Sequence, residues 1–524
     1  MPASKNSKNS RPSKRAPSGG AFGWLEVAAC FLGCAAVMTA ALTWFFKTGA
    51  TLYWGDAESH LDIARRVIDS RTPGWPQLGT TWLPLPHLLM LPLVRNDWLW
   101  QTGLAGGIVS AFCMTLAATF LFTAMRRVFA SSLAGWAAAA VFLLNPNTLY
   151  LGSIPMTEAA FFASLFGVLY FGTRFADTQG WGTLIGLGIA AYAGTLTRYE
   201  MWFLLPFIAV YVALIGGARR WWAAGSFCIL AGAGPMLWLW HNWWYFDDAL
   251  YFYRGPWSAL AIQGNLPYPG KDDWRLAAQY FLEAGKWIAG WPALIVGAAG
   301  LIAAAVRRAF WPLLLLALPP VFYIWSIHSK GLPVFVPNLE PHGWYNTRYA
   351  MAFLPLIALG AAALARFGRI PAALAVAVVF VPLAIHPSEH SITWQEAETN
   401  SRGSRAVTDQ AVAFLRAAAG PNETYFTGYG LTAIYRTLAI PFKDTLSGDN
   451  NPQYNMVWSR PDLFLWEDWA IVTGGDDVQS IIDKARLHGP RYDLSERIFV
   501  KGQKVVEIYH RAPALTQPYA NPLR

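Results

Sequence analysis

The recurring apolar segments constrain this chain more than any other feature. Segments of about 17–25 predominantly apolar residues recur from residue 22 to about Ile385, and each is long enough to cross a bilayer as a helix. Only 14% of the 524 residues are charged. The pattern predicts a polytopic membrane protein rather than a row of soluble domains.

The predicted fold is mainly α, with a helical membrane domain over residues 22–386 and a small α/β domain over 387–524. Residues 1–21 are predicted to be a disordered basic tail on the cytoplasmic side. We place about eleven membrane helices, at about 22–46, 99–124, 133–151, 155–173, 181–198, 200–217, 222–245, 285–306, 309–327, 348–365 and 370–386.

Arginine clusters fall between alternate predicted helices, as at Arg126-Arg127, Arg219-Arg220 and Arg307-Arg308. The positive-inside rule assigns such connections to the cytoplasm. The same rule places the N-terminus inside. An odd number of crossings then places the C-terminal domain outside a bacterial inner or plasma membrane. The net charge of +9 is explained by this topology, so it does not indicate nucleic-acid binding.

The chain becomes more polar from Pro387, where helical and strand-like patterns alternate. Helices are predicted at Ser404–Ala419 and Asp476–Leu487. The strand-like runs are Thr424–Phe426, Trp469–Thr473, and a terminal hairpin that pairs Arg497–Val500 with Val505–Tyr509. These patterns predict a small extracytoplasmic α/β domain.

The first outer loop, residues 47–98, contains an acidic stretch directly after the first membrane helix. Asp56, Glu58 and His60 lie within five residues there. Ionisable groups at a membrane edge are costly to desolvate and tend to mark function. A short amphipathic helix is predicted at Ile63–Ile68, and the Pro-rich stretch 82–92 is predicted to be re-entrant or interfacial.

Other polar residues also fall on the predicted outer side: Glu158, Arg198, Glu200, His241, Lys330, His342 and Arg348. Their common side indicates a site for an anionic, membrane-embedded substrate. Structural alternatives stay open for several of them. Asp56 could cap a helix, Glu158 could serve a helix dipole, Arg198 and Glu200 could be an ion pair, and Lys330 could be a snorkelling lysine.

The order and sidedness of these motifs resemble the GT-C glycosyltransferases, the superfamily of dolichyl-phosphate-mannose protein mannosyltransferases and bacterial aminoarabinose transferases. The residues that carry the resemblance are Asp56-Ala57-Glu58, the following Leu61–Ile68, Asn145–Tyr150 with Thr157-Glu158, and Arg348–Pro355. The family's adjacent acidic pair is split here by Ala57, which leaves open which carboxylate acts.

The resemblance implies a membrane glycosyltransferase that moves a sugar from a polyprenyl-phosphate donor to an extracytoplasmic protein, lipid or glycan by inversion. Asp56 is then the expected base, with Glu58 second. The residues expected to bind substrate are Arg348, Lys330, Arg198, His342, Glu158, His60 and Tyr349. Asp56, Glu58 and Glu158 could hold a divalent cation through oxygen ligands, although no strong ligand spacing demands one.

Two other functions remain open. A lipid-linked sugar flippase or transporter would place its polar groups near the bilayer midplane and often shows internal repeats, and we find no repeat in this sequence. A glycan-polymer ligase would also act on lipid-linked sugars at the outer face. The sequence favours the glycosyltransferase, because the suspected site residues lie at one membrane face.

Overall fold

The computed structural model describes residues 22–263, 266–329, 331–385, 391–428 and 430–512. The predicted cytoplasmic tail (1–21), the candidate ligand Lys330 and the predicted domain boundary at 386–387 lie outside the described residues.

Residues 22–246 are mainly helical. The helices are α1 (Phe22–Lys47), α2 (Gly55–Arg66), α3 (Leu85–Met90), α4 (Asp97–Gln101), α5 (Leu104–Phe129), α6 (Ser132–Leu143), α7 (Pro146–Leu151), α8 (Glu158–Thr178), α9 (Trp181–Thr195), α10 (Tyr199–Ile215) and α11 (Arg220–Phe246). Short 3₁₀ helices lie at Ala50–Leu52, Trp75–Leu78 and Gly217–Arg219.

Residues 251–385 continue this helical architecture. The helices are α12 (Tyr251–Arg254), α13 (Ala259–Gln263), α14 (Trp274–Ala289), α15 (Trp291–Val306), α16 (Phe310–His328), α17 (Leu354–Ala365) and α18 (Arg369–Ile385). A 3₁₀ helix over Thr347–Phe353 leads directly into α17.

Among the described residues, six helices are long and apolar enough to cross a membrane, and the bent pair α14–α15 would make a seventh. The six are Gly23–Lys47, Leu104–Phe129, Glu158–Thr178, Gly217–Phe246, Phe310–His328 and Thr347–Ala365. Three shorter apolar helices are α6, α10 and the first part of α18. The protein is therefore an integral membrane protein, and the number of about eleven crossings stays a prediction.

Every predicted membrane segment contains helix, but three segments are interrupted. The segment 99–124 includes the short break between α4 and α5. The segment 133–151 breaks between α6 and α7, where Asn145 accepts a hydrogen bond from the Asn147 N–H at 3.0 Å and Pro146 starts the next helix. The segment 285–306 breaks at Gly290, which has a φ of 78°. The α14–α15 pair bends there by 105°. Local backbone chemistry at Asn145 and Gly290 therefore overrides the apolar pattern.

The amphipathic helix of the first outer loop begins earlier than predicted. It spans Gly55–Arg66 rather than Ile63–Ile68, because its buried stripe already starts at Ala57 and continues through Leu61 and Ala64. Asp56 and Glu58 consequently lie in the first turn, where the helix dipole favours acidic residues. This corrected start decides where the two carboxylates point.

The C-terminal domain is α/β, as predicted. Its elements are α19 (Ile392–Ala418), β1 (Tyr425–Thr427), α20 (Thr432–Leu438), β2 (Thr445–Leu446), α21 (Gln453–Ser459), α22 (Pro461–Phe464), β3 (Trp469–Thr473), α23 (Asp477–His488), β4 (Tyr492–Ile498) and β5 (Val506–Arg511). A 3₁₀ helix over Phe442–Asp444 precedes β2.

One sheet joins these strands in the order β2-β1-β3-β5-β4. β1 pairs in parallel with β2 and β3, whereas β5 pairs antiparallel with β3 and β4. The antiparallel β4–β5 pair confirms the predicted terminal hairpin, although β4 begins at Tyr492, earlier than expected.

The C-terminal domain packs against the first outer loop of the membrane domain. One hydrophobic cluster contains Leu61 of α2 and Trp100 of α4 together with Leu415 and Tyr435 of the C-terminal domain. A separate cluster on the other face of the sheet contains only residues from that domain. The two domains are therefore joined by shared apolar burial, which places α2 between them.

Candidate active site

A cavity of about 1630 Å³ lies between the outer loops of the membrane domain and the C-terminal domain. Its wall includes Asp56, Glu58 and Arg66 of α2, and Asn400 and Arg436 of the C-terminal domain. Pockets for single small molecules usually measure roughly 300–1,000 Å³. The cavity is therefore large enough for two reactants side by side.

Asp56 lies on the cavity wall with its side chain 35% exposed. One carboxylate oxygen, Oδ2, accepts a hydrogen bond from Nη2 of Arg348 at 2.5 Å. The N-cap of α2 is Trp54, and no side-chain capping bond is present there. The Asp56 carboxylate is thus held by an arginine and presented to the cavity, and it does not act as a helix cap.

Arg348 is the second residue of the 3₁₀ helix before α17, and its side chain is only 7% exposed. Besides Asp56, it contacts Glu158, with Nε 3.2 Å from the Glu158 Oε1. The guanidinium carbon lies 4.5 Å from the ring centroid of Trp54 and 5.2 Å from that of Tyr349. Two carboxylates and two aromatic rings therefore fix the guanidinium plane.

Arg198 extends this cluster into the membrane domain. It donates to Glu158 at 2.9 Å, to Glu200 at 2.7 Å and to the Tyr323 hydroxyl at 2.8 Å. The Tyr323 hydroxyl in turn donates to Glu200. The ion pair considered for Arg198 and Glu200 is present, and Glu158 connects it to the second arginine of the cluster.

A second charged group lies along the cavity-facing side of α2. Glu58, Asp62 and Arg66 are four residues apart, so they share one helix face, and all three line the cavity. Glu58 Oε1 lies 3.4 Å from Arg436 Nη2. Burial raises the pKa of Glu58 to about 7, although Arg436 opposes the rise and Asp62 adds to it.

The two histidines expected to bind substrate lie outside the cavity lining. His60 is 2% exposed, and its Nδ1 lies 2.9 Å from Nε2 of His87. Burial lowers the pKa of His60 to about 3, helped by the positive charges of Arg348 and Arg198, so its ring is neutral at physiological pH. His342 lies on an exposed loop, with its Nε2 3.4 Å from Oε2 of Glu340.

The structure therefore brings five predicted residues into one cluster: Asp56, Glu158, Arg198, Arg348 and Tyr349. Glu58 lies on the same cavity wall as Asp56 but pairs with a different arginine, which comes from the C-terminal domain.

Two residues of the C-terminal domain belong to the candidate site but were not predicted from the sequence. Arg436 of α20 contacts Glu58, and Glu396 of α19 contacts the 3₁₀ helix that carries Arg348. Arg436 lies in no recognisable motif. Glu396 does leave a signal, because it shares the buried stripe of α19 with Ile392 and Thr393. A carboxylate on an otherwise buried helix face needs a partner.

The three carboxylates considered for a divalent cation are each engaged by arginine. Asp56 and Glu158 share Arg348, and Glu58 pairs with Arg436. Within the part of the chain that the structure describes, no group of three or more potential metal ligands was found. As arranged here, these carboxylates do not fit a shared cation.

Part of the chain is similar to a known protein family. Residues 100–245 match the family model for dolichyl-phosphate-mannose-protein mannosyltransferases. The resemblance drawn from the sequence motifs is confirmed over these residues, which run from the end of α4 to α11. They include Glu158, Arg198 and Glu200 but neither Asp56 nor Arg348.

A solved structure of the Archaeoglobus fulgidus oligosaccharyltransferase in its apo form is similar to this chain. The two sequences are 13% identical, the TM-score is 0.47, and the match covers 91% of this chain and 70% of the other. No curated protein sequence matches the chain.

Proposed function

We propose that this protein is a membrane glycosyltransferase that moves a sugar from a polyprenyl-phosphate donor to an extracytoplasmic acceptor. The observation that carries the proposal is the partly exposed Asp56 carboxylate, held by Arg348 on the wall of a cavity that suffices for donor and acceptor together. The family match over residues 100–245 supports the same class of reaction.

The reaction that fits this site is a one-step inverting transfer. The acceptor hydroxyl oxygen attacks the anomeric carbon from the side opposite the phosphate. The bond between that carbon and the phosphate oxygen breaks, and the phosphate leaves with the bonding electrons. Asp56 takes the acceptor proton, and the leaving phosphate is already ionised and needs no acid. Glu58 is the second candidate for the base.

Arg348 has an orienting role in this proposal. Its guanidinium already binds two carboxylates and lies outside the cavity lining, so a donor phosphate could reach it only by displacing Asp56. Arg66 and Arg436 both line the cavity, and each pairs with one carboxylate there: Arg66 with Asp449 at 3.0 Å and Arg436 with Glu58 at 3.4 Å. These two arginines are better placed to bind the donor phosphate.

The lipid part of the donor fits the membrane side of the cavity. Phe46 at the end of α1 and Tyr245 and Phe246 at the end of α11 line it, together with Trp257. Aromatic residues at the outer ends of membrane helices are typical of the interface, where a polyprenyl chain would leave the bilayer.

Transfer can be tested with radiolabelled sugars on polyprenyl phosphate, using mannose, glucose and aminoarabinose donors. Membranes from cells that lack the gene supply the acceptor. We expect one donor to label acceptor material with the wild-type protein, and Asp56→Asn to lower the rate about 10²–10⁴-fold, as loss of a general base does.

Asp493→Asn is the matched control, because Asp493 lies on β4 with its side chain 53% exposed and pairs with Arg491, away from the cavity lining. It should transfer at the wild-type rate. If Glu58→Gln abolishes transfer while Asp56→Asn retains it, the roles of the two carboxylates are reversed. If both variants transfer normally with every donor that works, the proposed chemistry is wrong.

A further inference from the structure

The 3₁₀ helix Thr347–Phe353 is held from outside by a residue of the C-terminal domain. Glu396 of α19 is 1% exposed and accepts a hydrogen bond from the Asn346 N–H at 2.7 Å. Its other oxygen accepts from the Thr347 N–H at 2.9 Å and from the Thr347 hydroxyl at 2.5 Å. Both carboxylate oxygens are therefore used at the start of this helix.

These bonds fix the point from which Arg348 projects. The first N–H groups of a helix have no partner within the helix. The N-cap residue Asn346 does not supply one, because its side chain makes no capping hydrogen bond. Thr347, which is fully buried, immediately precedes Arg348. The position of the Arg348 backbone, and through its guanidinium that of Asp56, thus depends on Glu396.

The position of Glu396 is in turn fixed by the helix break at Asn145-Pro146-Asn147. The Asn147 Oδ1 accepts hydrogen bonds from the N–H and the hydroxyl of Thr393, both at 3.0 Å. Thr393 lies one helical turn before Glu396. The Asn145 amide donates to the carbonyl of Ile288 at 2.9 Å, which ties the same break to α14.

We propose that Glu396 is a positioning residue for the proposed base Asp56, acting through the 3₁₀ helix and Arg348, with the Asn145–Asn147 break as its anchor. The inference rests on the proposed function. It assigns a role in the membrane-embedded site to a carboxylate of the C-terminal domain, and it explains why the two domains are packed together at α19.

The test compares Glu396→Gln with the wild type in the full-length protein, using as probe whichever of the three labelled polyprenyl-phosphate donors is active. Glutamine keeps one acceptor oxygen but turns the other into a donor that opposes an N–H. We expect kcat per folded protein to fall about tenfold to a hundredfold, the loss typical of a charge-assisted hydrogen bond. The donor KM should stay within about twofold, because Glu396 acts on the catalytic step.

A second measurement is independent of the substrate. Backbone amide exchange of residues 346–349 should accelerate in Glu396→Gln, because one of the two N–H groups bound by Glu396 loses its acceptor. Glu398→Gln is the matched control, since Glu398 lies on the same helix, is 33% exposed and binds Arg402 and Arg405 of its own helix. It should change neither kcat nor the exchange rates at 346–349.

Each result is decisive when Asp56→Asn is assayed in parallel. If Asp56→Asn is inactive and Glu396→Gln has the wild-type kcat, the positioning role is wrong and the proposed function stands. A change in donor KM alone would mean that Glu396 contacts the donor directly. If Asp56→Asn is active but Glu58→Gln is not, Glu58 is the base and the positioning role proposed for Glu396 is wrong. If both carboxylate variants are active, the proposed function itself fails.

Thr347 provides a second pair of variants if Glu396→Gln does not fold. Thr347→Val removes only the hydroxyl bond to Glu396, and Thr347→Ser keeps it. We expect kcat to fall several-fold in the valine variant and to recover in the serine variant. Equal kcat values in the two folded variants would overturn the positioning role.

Discussion

At the scale of single residues, the site depends on arginines that each hold two acidic groups. Arg198 binds Glu158 and Glu200, and Arg348 binds Glu158 and Asp56. A buried carboxylate without a partner is costly, and a planar guanidinium can satisfy two of them at fixed angles. Glu158 therefore connects the membrane-embedded charges to the proposed base.

This arrangement predicts that Arg348→Lys is more harmful than charge counting suggests. A lysine ammonium is a point charge without a planar fork, so it cannot hold Asp56 and Glu158 in the same geometry. We expect kcat to fall about 10–100-fold, with little change in donor KM, measured by transfer from the labelled donor. Arg402→Lys is the control, since Arg402 is 76% exposed.

An effect on the donor KM rather than on kcat would contradict the orienting role of Arg348. If Arg348→Lys raises the donor KM and leaves kcat unchanged, Arg348 contacts the donor phosphate, as the sequence alone first suggested.

The raised pKa of Glu58 predicts that the folding stability of the protein depends on pH. Its pKa is about 7 in the folded protein, against an ordinary value of 4.5, chiefly because it is buried. Between these values the folded protein keeps a proton that the unfolded chain releases, so stability falls as pH rises through this window. In thermal unfolding in detergent, the unfolding temperature of Glu58→Gln should rise relative to that of the wild type between pH 5 and pH 8.

The charge-removal control is again Glu398→Gln on the surface of α19. If the difference in unfolding temperature between Glu58→Gln and the wild type is the same at pH 5 and pH 8, Glu58 does not titrate in this window.

At the scale of elements, the membrane helices pack closely where glycines face each other. Gly297 and Gly300 of α15 meet Gly360 of α17. A Cβ added at Gly300 would lie 2.2 Å from the Cα and the carbonyl oxygen of Gly360, and backbone atoms cannot turn aside as a side chain can. Small residues at such crossings let two membrane helices approach closely, which is a main source of their packing energy.

We therefore expect Gly300→Ala to destabilise the membrane domain by about 1–3 kcal/mol, the usual cost of overpacking. Thermal unfolding of the purified protein in detergent measures this change. Gly232→Ala in α11 is the matched control, because nothing lies within 4 Å of its added Cβ. If both variants unfold at the same temperature, α15 and α17 are not packed as tightly as described.

At the scale of the whole molecule, the cavity proposed as the active site belongs to neither domain alone. The membrane domain supplies Asp56, Glu58 and Arg66, and the C-terminal domain supplies Arg436. Arg71 of the first outer loop also pairs at 2.6 Å with Glu467, whose side chain is 2% exposed. Breaking such a buried pair by removing one partner costs about 3–5 kcal/mol, which favours a fixed arrangement of the two domains.

This arrangement requires the C-terminal domain to be on the same side of the membrane as the first outer loop. The alternating arginine clusters predict that this side is extracytoplasmic. A reporter enzyme that is active only outside the cytoplasm should be active when fused after Arg524 and inactive when fused after Arg220. The reverse pattern would contradict the proposed side of the whole site.

The sequence by itself located most of the long apolar helices and several elements of the C-terminal domain, but not α20–α22 or β2. Apolar length locates the membrane helices and residue alternation locates β3 and the terminal hairpin, because these patterns depend on neighbours along the chain. The sequence also predicted Asp56, Glu158, Arg198 and Arg348 as site residues, because they are charged residues next to apolar segments. It missed the breaks at Asn145 and Gly290, where capping and a positive φ override the apolar pattern.

Only the tertiary structure decided which of these charges meet. Asp56 and Arg348 are 292 residues apart, and Glu396 and Thr347 belong to different domains. No periodicity links residues at such separations, because their contact depends on how whole helices pack rather than on the chain between them. For the same reason the sequence placed His60 and His342 with the site, whereas packing buries one against His87 and leaves the other on an exposed loop.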